Sequence, residues 1–139
     1  MRYVDTSVLL AYLTPEIGSP QAEAFMLSEG SALAISSWTE LELWSALGVK
    51  LRSRQLSRMD ACEVRDQFRR LVVPQLRRIA VQDADHHLAT TLLGEWRTTL
   101  RGGDSLHLAI ASARGMTTYT LDRAMAAAGA TLGIPVALL

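Results

Sequence analysis

Cysteine occurs once in these 139 residues, as Cys62, and lysine once, as Lys50. A single cysteine excludes an internal disulfide framework and suits a reducing compartment. No apolar run reaches the ~18–20 residues that a membrane span needs. The longest uncharged stretch, residues 124–139, is interrupted by Gly129, Gly133 and Pro135. The apolar run at residues 8–13 is too short for the core of a secretion signal, and Asp5 and Glu16 flank it. A soluble, cytoplasmic protein with no membrane partner is therefore expected. Internal repeats, low-complexity segments and dividing linkers are also missing, so residues 1–139 should form a single domain. Hydrophobic residues make up 49% and charged residues 20%, a balance that excludes a disordered chain.

Net charge is zero as well, but the charges are unevenly spread. Residues 1–47 hold one base and six acids, and residues 48–80 hold nine bases and three acids. Thirteen of the fourteen bases are arginine, which bonds phosphate in a bidentate fashion. A basic middle third is compatible with a polyanionic partner. The plainer alternative is a solvated helix face laced with ion pairs such as Asp66 with Arg70.

Short apolar runs alternate with helical patterns. Strands are expected near residues 3–4, 32–36, 76–81, 117–121 and 134–138. Helices are expected at residues 6–13, from Pro20 to about Glu29 with Gly30 as its stop, at 38–53, from the Ser57 cap to about Val73, at 83–98, from Asp104 to Gly115, and from Asp122 to about Gly129. Such alternation means an α/β fold with a mostly parallel sheet covered on both faces. Ligands of such sheets bind beyond the carboxyl ends of the strands, which directs attention to Asp5 and Asp122, each just after a strand. Asp104 opens a helix after Gly102-Gly103. Each of these acids also suits an ordinary helix N-cap. Glu42 lies within a helix, among Trp38, Ser45 and Ala46, where a carboxylate is costly without a partner. Glu40 is the rival acid on that helix. Gathered carboxylates repel one another unless their pKa values rise or a cation enters, and hard oxygen ligands suit Mg²⁺ or Mn²⁺.

These residues carry a resemblance. Tyr3-Val4-Asp5-Thr6-Ser7-Val8-Leu9-Leu10 resembles the opening of PIN-domain nucleases. Thr39 to Leu47 is similar to their second motif, with an acid four residues before Ala46-Leu47, and this alignment selects Glu42 over Glu40. Asp104-Ser105-Leu106-His107-Leu108-Ala109 is similar to the third motif, with Ser105 in place of the usual alanine. Thr120-Leu121-Asp122-Arg123 with the glycines that follow is similar to the fourth. The order and length resemble VapC-type toxins of toxin–antitoxin pairs.

The resemblance implies a three-layer α/β/α sandwich, an endoribonuclease dependent on Mg²⁺ or Mn²⁺, a homodimer, and a cognate VapB-type antitoxin that masks the acidic site. It implies Asp5 and Asp104 as principal metal ligands, with Glu42 ligating directly or through water and Asp122 completing the cluster. Thr6 and Thr120 would orient ligands or waters. Arg52, Arg54, Arg58 and Arg101 are candidate RNA contacts. His107 is expected to pack or to orient a neighbour, and Trp38, Trp44 and Trp96 to pack in the core or a dimer. The alternative is a PIN-like module that binds RNA or protein without cutting. A phospho-aspartate enzyme fits less well: Asp5-Thr6-Ser7 lacks a second aspartate, and Lys50 is misplaced for a receiver domain.

Overall fold

The computed structural model describes residues 1–28 and 32–139. Strands β1 (Arg2–Val4), β2 (Leu33–Ser36), β3 (Arg77–Ile79), β4 (Thr117–Thr120) and β5 (Val136–Leu138) form one sheet in the order β3-β2-β1-β4-β5. Every pairing is parallel, with Tyr3 opposite both Ala34 and Thr118.

Among the described residues, seven α-helices join and cover the strands: α1 (Thr6–Leu13), α2 (Ser19–Met26), α3 (Ser37–Arg52), α4 (Arg58–Gln67), α5 (Asp83–Gly94), α6 (Gly102–Ser112) and α7 (Arg123–Leu132). Their starts follow local chemistry. Asp5, Ser36, Ser57 and Asp122 each accept a backbone N–H of the first turn that follows. Gly133 ends α7 in the left-handed region at φ 68°, a conformation that costs glycine nothing.

Successive strand residues face opposite sides of the sheet, and this splits the core in two. Val4 and Ile35 point towards α1, α2, α3 and α4, packing with Leu9, Phe25, Leu43 and Phe68. Tyr3 and Ala34 point the other way, towards Ala89 of α5 and Leu106, Ala109 and Ile110 of α6. The result is the three-layer α/β/α sandwich expected from the sequence.

Several boundaries differ from expectation. The α4 helix does not continue regularly to Val73; it loosens into a π-helical turn at Phe68–Val72 and a 3₁₀ turn at Val73–Gln75, where Pro74 supplies no N–H to an α-helical ladder. Helix α5 stops at Gly94 rather than near Thr98. Gly102 and Gly103, expected as a turn, form the first residues of α6. Helix α7 runs three residues past Gly129. The expected stop at Gly30 lies outside the described residues. No helix among the described residues is long and apolar enough to cross a membrane.

A candidate acidic metal centre at the strand-order reversal

Chain order reverses at β1: β2 lies on one side of it and β4 on the other. The crevice beyond the carboxyl ends of β1 and β4 is where such sheets bind ligands. Asp5 follows β1 and Asp122 follows β4. The two strand ends are locked together, since Asp5 N–H donates to Tyr119 O at 3.0 Å and Thr120 Oγ1 donates to Asp5 Oδ2 at 2.8 Å.

Asp5 is 4% exposed. Its Oδ2 also accepts from the Ser7 hydroxyl at 2.5 Å and the Ser7 backbone at 3.3 Å, so it both caps α1 and faces the crevice. Ser7 Oγ in turn accepts Leu121 N–H at 3.0 Å, and Thr120 Oγ1 accepts Asp122 N–H at 2.9 Å. One oxygen of Asp5 is thus fully engaged, while Oδ1 lies 3.3 Å from His107 Nε2.

Glu42 reaches the same place from α3. Thr6 Oγ1 donates to its Oε2 at 2.8 Å, and His107 Nε2 donates to that oxygen at 2.6 Å. Its other oxygen is directed at Gly103, where a Cβ would come within 2.5 Å of Oε1. Glu40 turns elsewhere and pairs with Arg78 at 2.6 Å. Two residues along a helix rotate a side chain by roughly 200°, so only one of the two acids can share the crevice with Asp5.

His107 is fully buried between the carboxylates. Burial opposes its charge, but Tyr3, Asp5 and Glu42 outweigh it and push the imidazole up to about 10. Its Nδ1–H donates to Tyr3 Oη at 2.8 Å, and that hydroxyl donates onward to Ser36 Oγ at 2.8 Å. Burial raises the Glu42 carboxyl, yet the bonds and charge from His107, with Thr6, leave it below its ordinary value. Asp104 moves the other way. Burial and repulsion from Asp122, Asp5 and Glu42 raise it, although Arg101 N–H donates to its Oδ2 at 3.3 Å. Asp122 Oδ1 caps α7, accepting from Ala124 N–H at 2.7 Å and Met125 N–H at 3.2 Å.

Ligand atoms of Asp5, Glu42 and His107 lie within 4.8 Å of one another. Asp104 feels the charges of Asp5, Glu42 and Asp122, and Asp122 is joined to Asp5 through Thr120, whose hydroxyl donates to Asp5 and accepts from Asp122 N–H. Hard carboxylate oxygens whose mutual repulsion raises one of their number make a donor set suited to a divalent cation. Thr6 and Thr120 are in direct contact with Glu42 and Asp5. Of the candidate RNA-binding arginines, Arg101 adjoins the centre through Asp104. Arg52 and Arg58 instead line a cavity of about 610 Å³ between α3 and α4 with Trp44 and Leu47, which shares no residue with the acidic trio. Arg54 lies just past α3 at φ 59°. Sequence reasoning passed over Tyr3, Ser7 and Gly103. His107 carried a signal in its i+3 spacing from Asp104, one face of a helix, but nothing local names its partners. Trp96, expected to pack, is 89% exposed.

An all-parallel α/β/α domain with acids converging on its topological switch point belongs to a class in which the strand ends carry the site. The sequence model of the PIN domain family matches residues 2–130, so the chain belongs to the PIN domain family. No curated protein sequence matches significantly. Among solved structures, it is similar to FitAcB from Neisseria gonorrhoeae (TM-score 0.77, 16% identity, covering 98% of this chain and 96% of that one). It is similar to the sarcin-ricin loop cleaving toxin VapC20 from Mycobacterium tuberculosis (0.75, 20%, 93% and 95%). VapBC2 from Rickettsia felis, bound to a DNA fragment from its promoter, is similar as well (0.70, 16%, 100% and 99%). At these identities the likeness is one of fold.

Proposed function

We propose that this protein is a metal-dependent endoribonuclease, the single-domain toxin of a VapBC-type toxin–antitoxin pair. The observation that carries the reading is the convergence of Asp5 and Glu42, with Asp104 and Asp122 beside them, at the switch point of a PIN fold. Asp5, Glu42 and Asp104 would hold Mg²⁺ or Mn²⁺, with Asp122 closing the acidic rim. A divalent cation bound there supplies Lewis acidity, which activates water and offsets charge on the phosphoryl oxygens.

The chain's own residues set the geometry. Ser7 and Thr120 hold Asp5 Oδ2, and His107 Nε2 lies 3.3 Å from Oδ1, so this carboxylate would meet a cation already oriented. Thr6 and His107 hold Glu42 by Oε2 in the same way. Tyr3 fixes the His107 ring by its Nδ1 side. Hydrogen bonds of this kind orient ligands and tune the metal site. Discounting the four acids, the chain carries 14 bases against 10 acids, which suits a polyanionic substrate. In the reaction a water molecule would attack a backbone phosphorus in line and lose a proton to solvent, the P–O3′ bond would break, and the departing 3′-oxygen would take up a proton.

The likeness in fold to VapBC2 and to a toxin–antitoxin complex from Klebsiella pneumoniae supports a VapB-type partner that covers the acidic centre; a homodimer acting in the cytoplasm completes the proposal. The test is cleavage of total cellular RNA by the purified protein with Mg²⁺ or Mn²⁺, against EDTA and Asp104→Asn controls. Discrete fragments absent from both controls are expected. Intact RNA from folded, antitoxin-free protein on several RNAs would sink the nuclease reading and leave a binding module.

A further inference from the structure

Helix α5 ends at Gly94, and Trp96 follows two residues later at φ 47°. Its N–H donates to Leu93 O at 3.0 Å, so it sits where a helix is commonly closed by a left-handed residue. Glycine is usual there, because a side chain crowds the backbone at positive φ. This chain places its bulkiest side chain there and leaves it 89% exposed. Both choices oppose folding. Residues that break a local rule without structural compensation concentrate at functional sites.

The surroundings indicate the ligand. Residues 95–101 form the loop between α5 and α6, and Trp96, Arg97, Thr99 and Arg101 are all exposed on it. The loop's only acid, Glu95, is paired with Arg97 at 2.5 Å. The loop ends at Arg101, whose N–H donates to Asp104, so it is tethered to the acidic centre. A free aromatic plane flanked by guanidinium groups is how proteins hold single-stranded nucleic acid: bases stack on the ring and phosphates meet the cations. A second copy of the chain is less suited, since a contact of this loop with itself would bring like guanidinium groups together.

We infer that Trp96 is a stacking platform for an unpaired base of the RNA, with Arg101 holding a neighbouring phosphate and Arg97 a second once it exchanges Glu95 for it. This role presupposes the ribonuclease activity proposed above. The experiment measures binding of a short labelled single-stranded RNA in EDTA, alongside cleavage by the wild type with Mg²⁺ or Mn²⁺. Trp96→Ala should weaken binding roughly 5- to 150-fold, the span of one lost base stack. Trp96→Phe should keep most of the affinity, and Trp96→Leu, apolar but not aromatic, should behave like alanine. The salt slope should be unchanged in Trp96→Ala and reduced by about 0.7 in Arg101→Gln, the value of one phosphate contact on a single strand. Trp96→Gly should bind as poorly as alanine while its Tm rises by a few degrees, which separates stacking from folding.

Wild-type affinity in Trp96→Ala and Trp96→Leu would overturn the stacking role alone if the wild type still cuts RNA. A changed oligomeric state by light scattering in those same variants would reassign Trp96 to a protein contact. A wild type that neither binds nor cuts RNA would overturn both proposals.

Discussion

His107 Nε2 lies 2.6 Å from Glu42 Oε2, joining α6 to α3 across the end of the sheet. The same nitrogen is 3.3 Å from Asp5 Oδ1, so one buried ring spans acids from two different elements. Replacing His107 with alanine leaves those acids and the Tyr3 hydroxyl without their shared partner. Breaking a fully buried ion pair costs about 3–5 kcal/mol. Glu42 is 28% exposed on its side chain and can rehydrate, so we expect His107→Ala to cost less, about 2–3 kcal/mol. Urea unfolding in EDTA measures this; a loss under about 0.5 kcal/mol would mean that the ring merely fills space.

The same contact makes stability depend on pH. His107 is raised from 6.5 to about 10 in the folded protein, so the folded state holds a proton that the unfolded chain gives up. Its contribution is fully present below about pH 6.5 and is lost as pH climbs towards 10, at up to ~1.4 kcal/mol per pH unit for one proton. Metal-free protein should therefore lose stability across that window. His107→Gln should show a flatter profile; equal slopes in the two proteins would contradict the assignment.

Gly103 faces Glu42 so closely that an added Cβ would come within 2.5 Å of Oε1 and 3.3 Å of Trp38 Cζ2. The nearer atom ends a flexible side chain, so Gly103→Ala should displace the carboxylate rather than unfold α6. A misplacement of about 1 Å near reacting groups can cost ~100-fold in rate. We expect RNA cleavage to fall by about that factor, with Tm nearly unchanged because alanine favours a helix. Undiminished cleavage would show that Glu42 tolerates displacement.

Burial and three neighbouring carboxylates raise Asp104, which means that its charge is a burden on the metal-free fold. Asp104→Asn removes that repulsion. The variant should be as stable as the wild type or more so in EDTA, and inactive with Mg²⁺ or Mn²⁺. A calorimetric titration should show weakened metal uptake. Wild-type cleavage by the asparagine variant would remove Asp104 from the centre.

Glu40 and Glu42 provide an internal control on α3. Glu40 pairs with a half-exposed Arg78, and such pairs contribute about 0–1 kcal/mol. Glu40→Gln should leave cleavage intact, whereas Glu42→Gln should lower it at least ~100-fold. RNA fragments on a gel separate the two outcomes, and loss in both variants would mean that the helix itself has shifted.

What the sequence determined was local. Asp5, Ser36, Ser57 and Asp122 cap helices within three residues of themselves, and the alternation of short apolar runs with helical patterns pointed to a mostly parallel sheet covered on both faces, which the resemblance made a three-layer sandwich. The acids after β1 and β4 were legible because strand ends in such sheets face ligands. Local pattern could not separate Glu42 from Glu40; resemblance favoured Glu42, and the tertiary structure gives the physical cause by sending Glu40 to Arg78. The remaining contacts join distant positions: Thr6 to Glu42 across 36 residues, Glu42 to His107 across 65, Tyr3 to His107 across 104 and Asp5 to Thr120 across 115. No helical or strand period reaches that far, so only chain folding could make His107 the link between the acids, bring Gly103 against Glu42, or leave Trp96 facing water.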